Sequence, residues 1–499
     1  MLNEKTLNHL PASVQPLRYR REEVGRGIVH FGVGNFFRAH EAWYVNRCLA
    51  LPGQSQWGIV GVGLGGGARG EAKAHAFTQQ DCLYSLTEVA ADGARTVSII
   101  GALREYLLAP ADPEAVLARL ADPQTRIVSM TITEGGYNIN EETGQFRLDT
   151  PGVQADLKNP RRPTTVFGYV VEGLRRRREA GAGPFTVLSC DNLRSNGHVA
   201  HEAFVGYARA LDADLAEWID ANVTFPCSMV DRITPGVDTA TRNALNEAGG
   251  LDDDLPVLAE DFSQWVLEDS FCNGRPALEQ VGVEFVDDVA GYEQVKVRML
   301  NAAHLLLGSA GLLLGHRYAH ETVEDADLAR LANAYWTKDA MPQIDAPAGV
   351  DLDAYRRRLL SRFSNRAVAD TLLRICSDGA SKVRVFWTDT VRRSLDSGHD
   401  LHRIAFGIAA YLEMLRGQDE KGQAYAPIEP TLDADQIALV NDSDLAAGLS
   451  LPAFDGWRDM DTTALDAAVV AARSAIRDRG VRASLPAQEM VSEQTGNNK

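Results

Sequence analysis

The first half of the chain alternates short, β-branched apolar runs with longer segments of helical periodicity. The runs are GIVHFGV, WGIVGVGL, TVSIIG, RIVSMTIT, PFTVLSC and, later, VGVEFVDDV. Strands that are apolar at nearly every position are covered on both faces, and strands separated by helices predict a parallel sheet. From about Tyr292 the pattern changes to long 3.6-residue periodicity, as in NAAHLLLGSAGLLLGHRYAH and HRIAFGIAAYLEMLRG, broken by Pro and Gly and with hardly a strand candidate. The predicted architecture is an α/β, Rossmann-like N-terminal domain with a mostly parallel sheet over residues 1–285, followed by a mainly α-helical C-terminal domain over 286–499. No internal repeat or low-complexity segment interrupts it, and the tail QEMVSEQTGNNK is expected to fray.

Composition narrows the partners. With 499 residues, 45% of them hydrophobic, the chain is long enough for more than one packed domain. Its net charge of -18 repels nucleic acid and anionic membrane, so the expected partner is a small molecule. The one basic run, Arg175 to Arg178, reads as a solvated helix face. The N-terminus MLNEKTLNHLPAS has no export-signal pattern and no run of about eighteen apolar residues occurs, which makes the cytoplasm the expected location. Six cysteines without a C-x-x-C pair argue against a disulfide framework and a structural zinc site. The pairs His316/His320 and His198/His201 have metal-compatible spacing but no third ligand nearby in sequence, so no metal is expected.

IVHFGVGNFFRAH is an apolar strand followed by Gly32, Val33 and Gly34 and then a helix start carrying Asn35, Phe36 and Arg38. Glycines there permit a tight turn and let backbone approach a pyrophosphate, to which a helix N-terminus offers free N–H groups. Phe37 stands where the full fingerprint has its third glycine, and an ordinary strand-to-helix turn has the same composition. After the second strand, an acidic residue would hold the adenosine ribose, whereas an arginine would accept a 2′-phosphate. This loop has no carboxylate before Glu71 and offers Ala68 and Arg69 instead.

In KVRMLNAAH, a lysine, an asparagine and a histidine interrupt an apolar helix. At about 100° per residue, Asn301 and His304 lie about 60° apart and Lys296 about 80° from His304, so all three are expected to face one pocket. Oxidation of a secondary alcohol needs a base for the hydroxyl proton and donors for the developing alkoxide. A buried lysine can supply the first and amides the second.

VTFPCSMVDRITP, GVGNFFRAH, TITEGGY, LSCDNL and the Lys-x4-Asn-x2-His spacing together resemble the polyol-specific long-chain dehydrogenase/reductase family, nearest its mannitol 2-dehydrogenase branch, from about Gly27 to past Lys382. The resemblance implies that Lys296 is the general base, that Asn192 and Asn301 polarise the reacting oxygen, that His304 orients the substrate, and that Glu293 relays the proton. It also implies polyol contacts at Asp231, Arg374 and Lys382. From the residues alone, Glu293 also reads as a solvated helix acid, Asp231 with Arg232 as an ion pair, and Ser377-Asp378-Gly379 as a turn. The implied reaction is metal-independent, NAD-linked interconversion of a polyol and a ketose, D-mannitol and D-fructose first. NADP stands as the alternative cofactor because the loop after the second strand lacks the acid. An arabinitol or sorbitol dehydrogenase, a hexuronate reductase and, in another class, a dinucleotide-binding regulator without turnover are the alternative functions. By the same resemblance the chain is expected to be a monomer.

Overall fold

The computed structural model describes residues 1–140 and 143–486, so the expectation of a frayed tail falls outside the described residues. The chain divides into two compact units, Met1–Glu293 and Gln294–Lys499. The division lies beyond residue 285 because the strand Glu284–Val286 pairs in parallel with Gln264–Glu268 and stays with the first unit.

The first unit is built on a five-stranded, wholly parallel sheet in the order Leu103–Leu108, Ile59–Gly63, Ile28–Phe31, Ile127–Met130, Thr186–Ser189. Apolar residues fill both faces. Val29, Phe31, Val60 and Val128 pack with Tyr169, Val170 and Leu174 of the helix Val166–Ala180, while Ile28, Ile59, Ile127 and Leu188 pack with Phe37, Tyr44 and Val45. This two-sided burial is why the runs read as continuously apolar rather than alternating. From Ile28–Phe31 the chain builds outward on one side, then crosses to start the other side with Ile127–Met130. The topological switch point therefore lies between these two strands, where ligands enter parallel α/β sheets.

Two of the apolar runs lie elsewhere. TVSIIG forms the strand Arg95–Ile100, which is antiparallel to Tyr84–Val89 across a turn containing Gly93 (φ +86°), within a separate four-stranded mixed sheet. VGVEFVDDV supplies Glu284–Val286 to a third sheet of three strands. A short glycine-containing connection closes a hairpin, whereas parallel neighbours need a longer crossover. The basic run also differs from the expectation. Arg175 and Arg176 pair with Glu172, but Arg177 is fully buried, donates to the carbonyls of Gly183 (2.7 Å) and Asp122, and lies over Phe185.

The second unit is helical, with its own core. Ala302–Leu313 and His402–Met414 are buried nearly all round and pack together, with Gly407 against Leu306, where a Cβ would come within 3.1 Å. A helix apolar on every face belongs at the centre of such a bundle. Among the described residues no helix is long and apolar enough to cross a membrane.

Candidate active site

At the switch point, Gly32 takes φ +95°, and a Cβ there would lie 2.0 Å from the carbonyl oxygen of Thr131, so only glycine fits. Gly34 is different: its φ of -85° suits any residue, and a Cβ would meet nothing closer than 3.9 Å. Neither dihedral nor packing explains that glycine, but room for the backbone of the turn to meet a ligand does. The turn is held from beneath by a buried polar network. His30 Nδ1 lies 2.8 Å from Ser129 Oγ and 3.0 Å from Glu41, while Nε2 meets Thr131 Oγ1 at 3.1 Å, and Thr131 donates to the Gly32 carbonyl (2.7 Å). Phe37, in place of the third fingerprint glycine, stacks on His30 at 3.6 Å.

The other candidates at this turn divide between exposed and structural positions. Arg38 is buried; its guanidinium donates to the Leu255 carbonyl (2.5 Å) and to Asn35 Oδ1 (2.6 Å), and the Asn35 amide donates to the Pro235 carbonyl (3.2 Å). Phe36 stacks on His40. In contrast, Ala68 and Arg69 are exposed in the first turn of the helix Gly67–Gln79. One turn on is a residue that the sequence reading missed. Lys73, half-buried, donates to the Val33 carbonyl in the centre of the glycine turn. Burial, reinforced by Arg38 and Arg69, lowers its pKa to about 8. Arg69 and Lys73 are four apart on one helix face, which was the available signal. Open space at Gly34, a helix N-terminus and this cationic face together fit a dinucleotide phosphate.

Asn192 follows the strand Thr186–Ser189 at the same edge of the sheet. Its predecessor Asp191, also unremarked in the sequence reading, fixes that loop by accepting from Ile132 N (2.9 Å), Thr133 N (2.9 Å) and Tyr137 Oη (2.8 Å). Glu293 is 8% exposed, and its carboxylate accepts from Ser195 N at 3.2 Å, so it is a buried group rather than a solvated helix acid. Asp231 ends a strand of the three-stranded sheet and is buried, while Arg232 is committed to Glu88 (2.6 Å) and to the carbonyls of Ala39 and Glu260.

In the second unit the helix departs from the expected geometry. Lys296–Asn301 is a π-helix, and α-helix begins at Ala302. In an α-helix Lys296 and Asn301 would be about 140° apart, on different faces. Five residues of the wider i→i+5 turn make little more than one full revolution, so the π segment, not the assumed α spacing, brings lysine and asparagine toward one face. Lys296 is 7% exposed. The Oδ1 of Asn301 and the Nε2 of His304 are buried without a hydrogen-bond partner among the described residues. An unmatched buried polar atom costs about 1–3 kcal/mol, so these two, three residues apart in sequence, are atoms that a bound hydroxyl group can satisfy.

His304 stacks on Phe363 at 4.3 Å, and burial pushes its pKa down to about 4 against the opposing pull of Asp370, with Arg374, Arg362 and Lys382 adding to the depression. The ring is therefore neutral near pH 7 and can bond a hydroxyl as donor or acceptor. Arg374, with 53% of its side chain exposed, is gripped by Asp370 (Nε to Oδ1, 2.5 Å), and Lys382 donates to the Ile375 carbonyl (2.8 Å). Asp378, at φ +52°, opens the helix Gly379–Phe386 that carries Lys382. One histidine of each pair is engaged elsewhere: His316 with Asp325 and His201 with Asp220. Among the described residues no group of three or more His, Cys, Asp or Glu is placed to hold a metal.

Comparison with known proteins identifies the family of the chain. The profile of the mannitol dehydrogenase Rossmann domain matches residues 26–280, and that of the mannitol dehydrogenase C-terminal domain residues 288–472. The chain is 58% identical over 487 residues to the polyol:NADP oxidoreductase of Gluconobacter oxydans, covering 98% of this chain and 100% of that one. It is 40% identical over 432 residues to a mannitol 2-dehydrogenase of Phaeosphaeria nodorum, covering 86% and 75%. Among solved structures, a substrate-free D-sorbitol dehydrogenase is similar at a TM-score of 0.91 and 57% identity, over 97% of this chain and 100% of that one. A Pseudomonas fluorescens mannitol 2-dehydrogenase in complex with NAD and D-mannitol is similar at 0.88 and 40% identity, over 97% and 98%.

Proposed function

The chain belongs to the mannitol dehydrogenase family and is a nicotinamide-dependent oxidoreductase acting on CH–OH, and we propose that it oxidises a secondary alcohol of an open-chain hexitol to the 2-ketose and catalyses the reverse reduction. The observation that carries this reading is the face shared by Lys296 and Asn301 on the π-helix, together with the unmatched polar atoms of Asn301 and His304. A polyol is the ligand that offers hydroxyl groups to such atoms and little else.

In this reading the Lys296 amine takes the proton from the reacting hydroxyl. Asn192 and Asn301 hold the oxygen as negative charge grows on it, because an amide can donate a hydrogen bond without itself losing a proton. His304, neutral, orients the neighbouring hydroxyl. Glu293, three residues before the lysine along the chain, passes the proton onward. Asp231, Arg374 and Lys382 bond the rest of the carbon chain. The nicotinamide, when bound, accepts the hydride from the carbinol carbon. A positioned general base contributes about 10²- to 10⁴-fold in rate, so Lys296 is the residue on which turnover depends most.

We read the cofactor as NADP rather than NAD. The loop after the second strand has no carboxylate to repel a 2′-phosphate, Arg69 and Lys73 lie on one face of the helix that follows, and the 58% identical relative is named for NADP. D-Mannitol is the first substrate of this reading. D-Sorbitol is the second, favoured by the 57% identity to a D-sorbitol dehydrogenase. The test is absorbance at the reduced-nicotinamide band, with D-mannitol, D-sorbitol, arabinitol and D-fructose each offered against NADP and NAD. Reduction of NADP by a hexitol is expected; no turnover with any polyol or ketose would sink the proposal.

A further inference from the structure

The wide turn that aligns Lys296 with Asn301 has to be held open from outside. When a helix passes from i→i+4 to i→i+5 bonding and back, an inserted residue upsets the carbonyl ladder, and isolated helix reverts to the α form. Here the opposite side of the turn meets a set of side-chain donors. Tyr335 Oη donates to the Arg298 carbonyl (2.9 Å), Trp336 Nε1 to the Met299 carbonyl (2.7 Å) and Trp387 Nε1 to the Ala302 carbonyl (3.2 Å). The Arg298 guanidinium is itself anchored to Thr390 Oγ1 (3.0 Å) and the Gln343 carbonyl (2.6 Å). All three aromatic donors and Arg298 are buried, so none has water as a substitute partner. Tyr335 and Trp336 open a second π segment, Tyr335–Ala340.

We infer that Tyr335, Trp336 and Trp387 are positioning residues for the reaction: they hold the Lys296–Asn301 turn in its π form, and through it keep the lysine amine and the asparagine amide on one face. The inference rests on the base role proposed for Lys296. The donors and the turn depend on each other. If the segment relaxed to α geometry, its carbonyls would turn inward to the helix ladder, the buried tyrosine hydroxyl and indole N–H groups would lose their acceptors, and Lys296 would rotate away from Asn301. Arg298 and Met299 lie about half a turn from Lys296 and Asn301, so the clamp grips the backbone without occupying the face it organises.

The experiment compares Trp336→Phe, which keeps one aromatic ring but deletes the indole N–H and part of the volume, and Tyr335→Phe, which deletes one oxygen, with a control that loses the same volume, Trp457→Phe. Trp457 is buried in the same unit beside Phe454. Each variant is measured for kcat, KM for the polyol, dinucleotide Kd and melting temperature, alongside Lys296→Ala. Expected is a fall in kcat of about tenfold or more in the two clamp variants, with KM and Kd within twofold of the native protein, while the control keeps kcat within twofold whatever its melting temperature. The inference is overturned if clamp variants retain native kcat, if they change KM alone, or if kcat follows melting temperature in all three. Native turnover in Lys296→Ala would remove the base reading and this inference with it. An inactive Lys296→Ala beside fully active clamp variants removes the inference alone.

Discussion

At the Gly32–Gly34 turn the chain works by leaving things out: it deletes side chains at the end of a strand and presents backbone and open space. At the Lys296–Asn301 turn it inserts a residue into a helix and then surrounds the distortion with tyrosine and tryptophan donors. The first arrangement suits a ligand recognised by its phosphates, which need N–H groups and positive charge more than shape. The second suits chemistry on a neutral polyol, where one amine, one amide and one imidazole must reach particular atoms. Both are held by residues distant in sequence: the first by a network in which His30 meets Ser129 and Thr131, 99 and 101 positions away, and the second by aromatic donors 37 to 85 positions from the carbonyls they meet. A site made by omission tolerates little filling, and a site made by distortion tolerates little loosening.

Breaking the second region at its centre should have the largest effect. Lys296→Ala is expected to lower kcat about 10³-fold while dinucleotide Kd, measured by fluorescence titration, stays within twofold. Retained turnover would mean that the π turn serves packing only. Next, the two glycines should separate folding from binding. Gly34→Val, at a position where a Cβ meets nothing closer than 3.9 Å, should preserve the melting temperature and weaken dinucleotide binding about 100-fold. Gly32→Ala should cost about 3 kcal/mol or more of stability, from its left-handed backbone and the clash with Thr131. If Gly34→Val binds normally, the open space above the turn is not where a phosphate lies.

The smallest effect sharpens the comparison at the nucleotide turn. Lys73→Gln is expected to weaken NADP binding about tenfold and NAD binding less than threefold, by calorimetry. With its pKa lowered to about 8, the Lys73 ammonium is fully charged well below that pH and is lost above it. The preference for NADP over NAD should therefore fall as pH rises through about 8 in the native protein and be flat in Lys73→Gln. Ala68→Asp should depress NADP use in the same direction by introducing a carboxylate near the 2′ position. A preference indifferent to all three changes would place the 2′ reader elsewhere.

Much of the first region was legible because its cause is local. Continuous apolar runs report two-sided burial, and Gly32 reports a backbone that no other residue adopts; both are properties of a few adjacent positions. The tertiary structure decided what local pattern leaves open. TVSIIG has the same composition as its neighbours yet pairs antiparallel in another sheet, because a short connection offered it a nearer partner. Arg177 looks like its basic neighbours but is the one the fold turns inward onto carbonyl groups. Lys-x4-Asn-x2-His named the right kinds of residue for the proposed chemistry, but α spacing would leave Lys296 and Asn301 on different faces. Their alignment requires a π turn, which is stable only where Tyr335, Trp336 and Trp387 arrive from distant stretches of chain to meet its carbonyls, and no short-range periodicity contains that information.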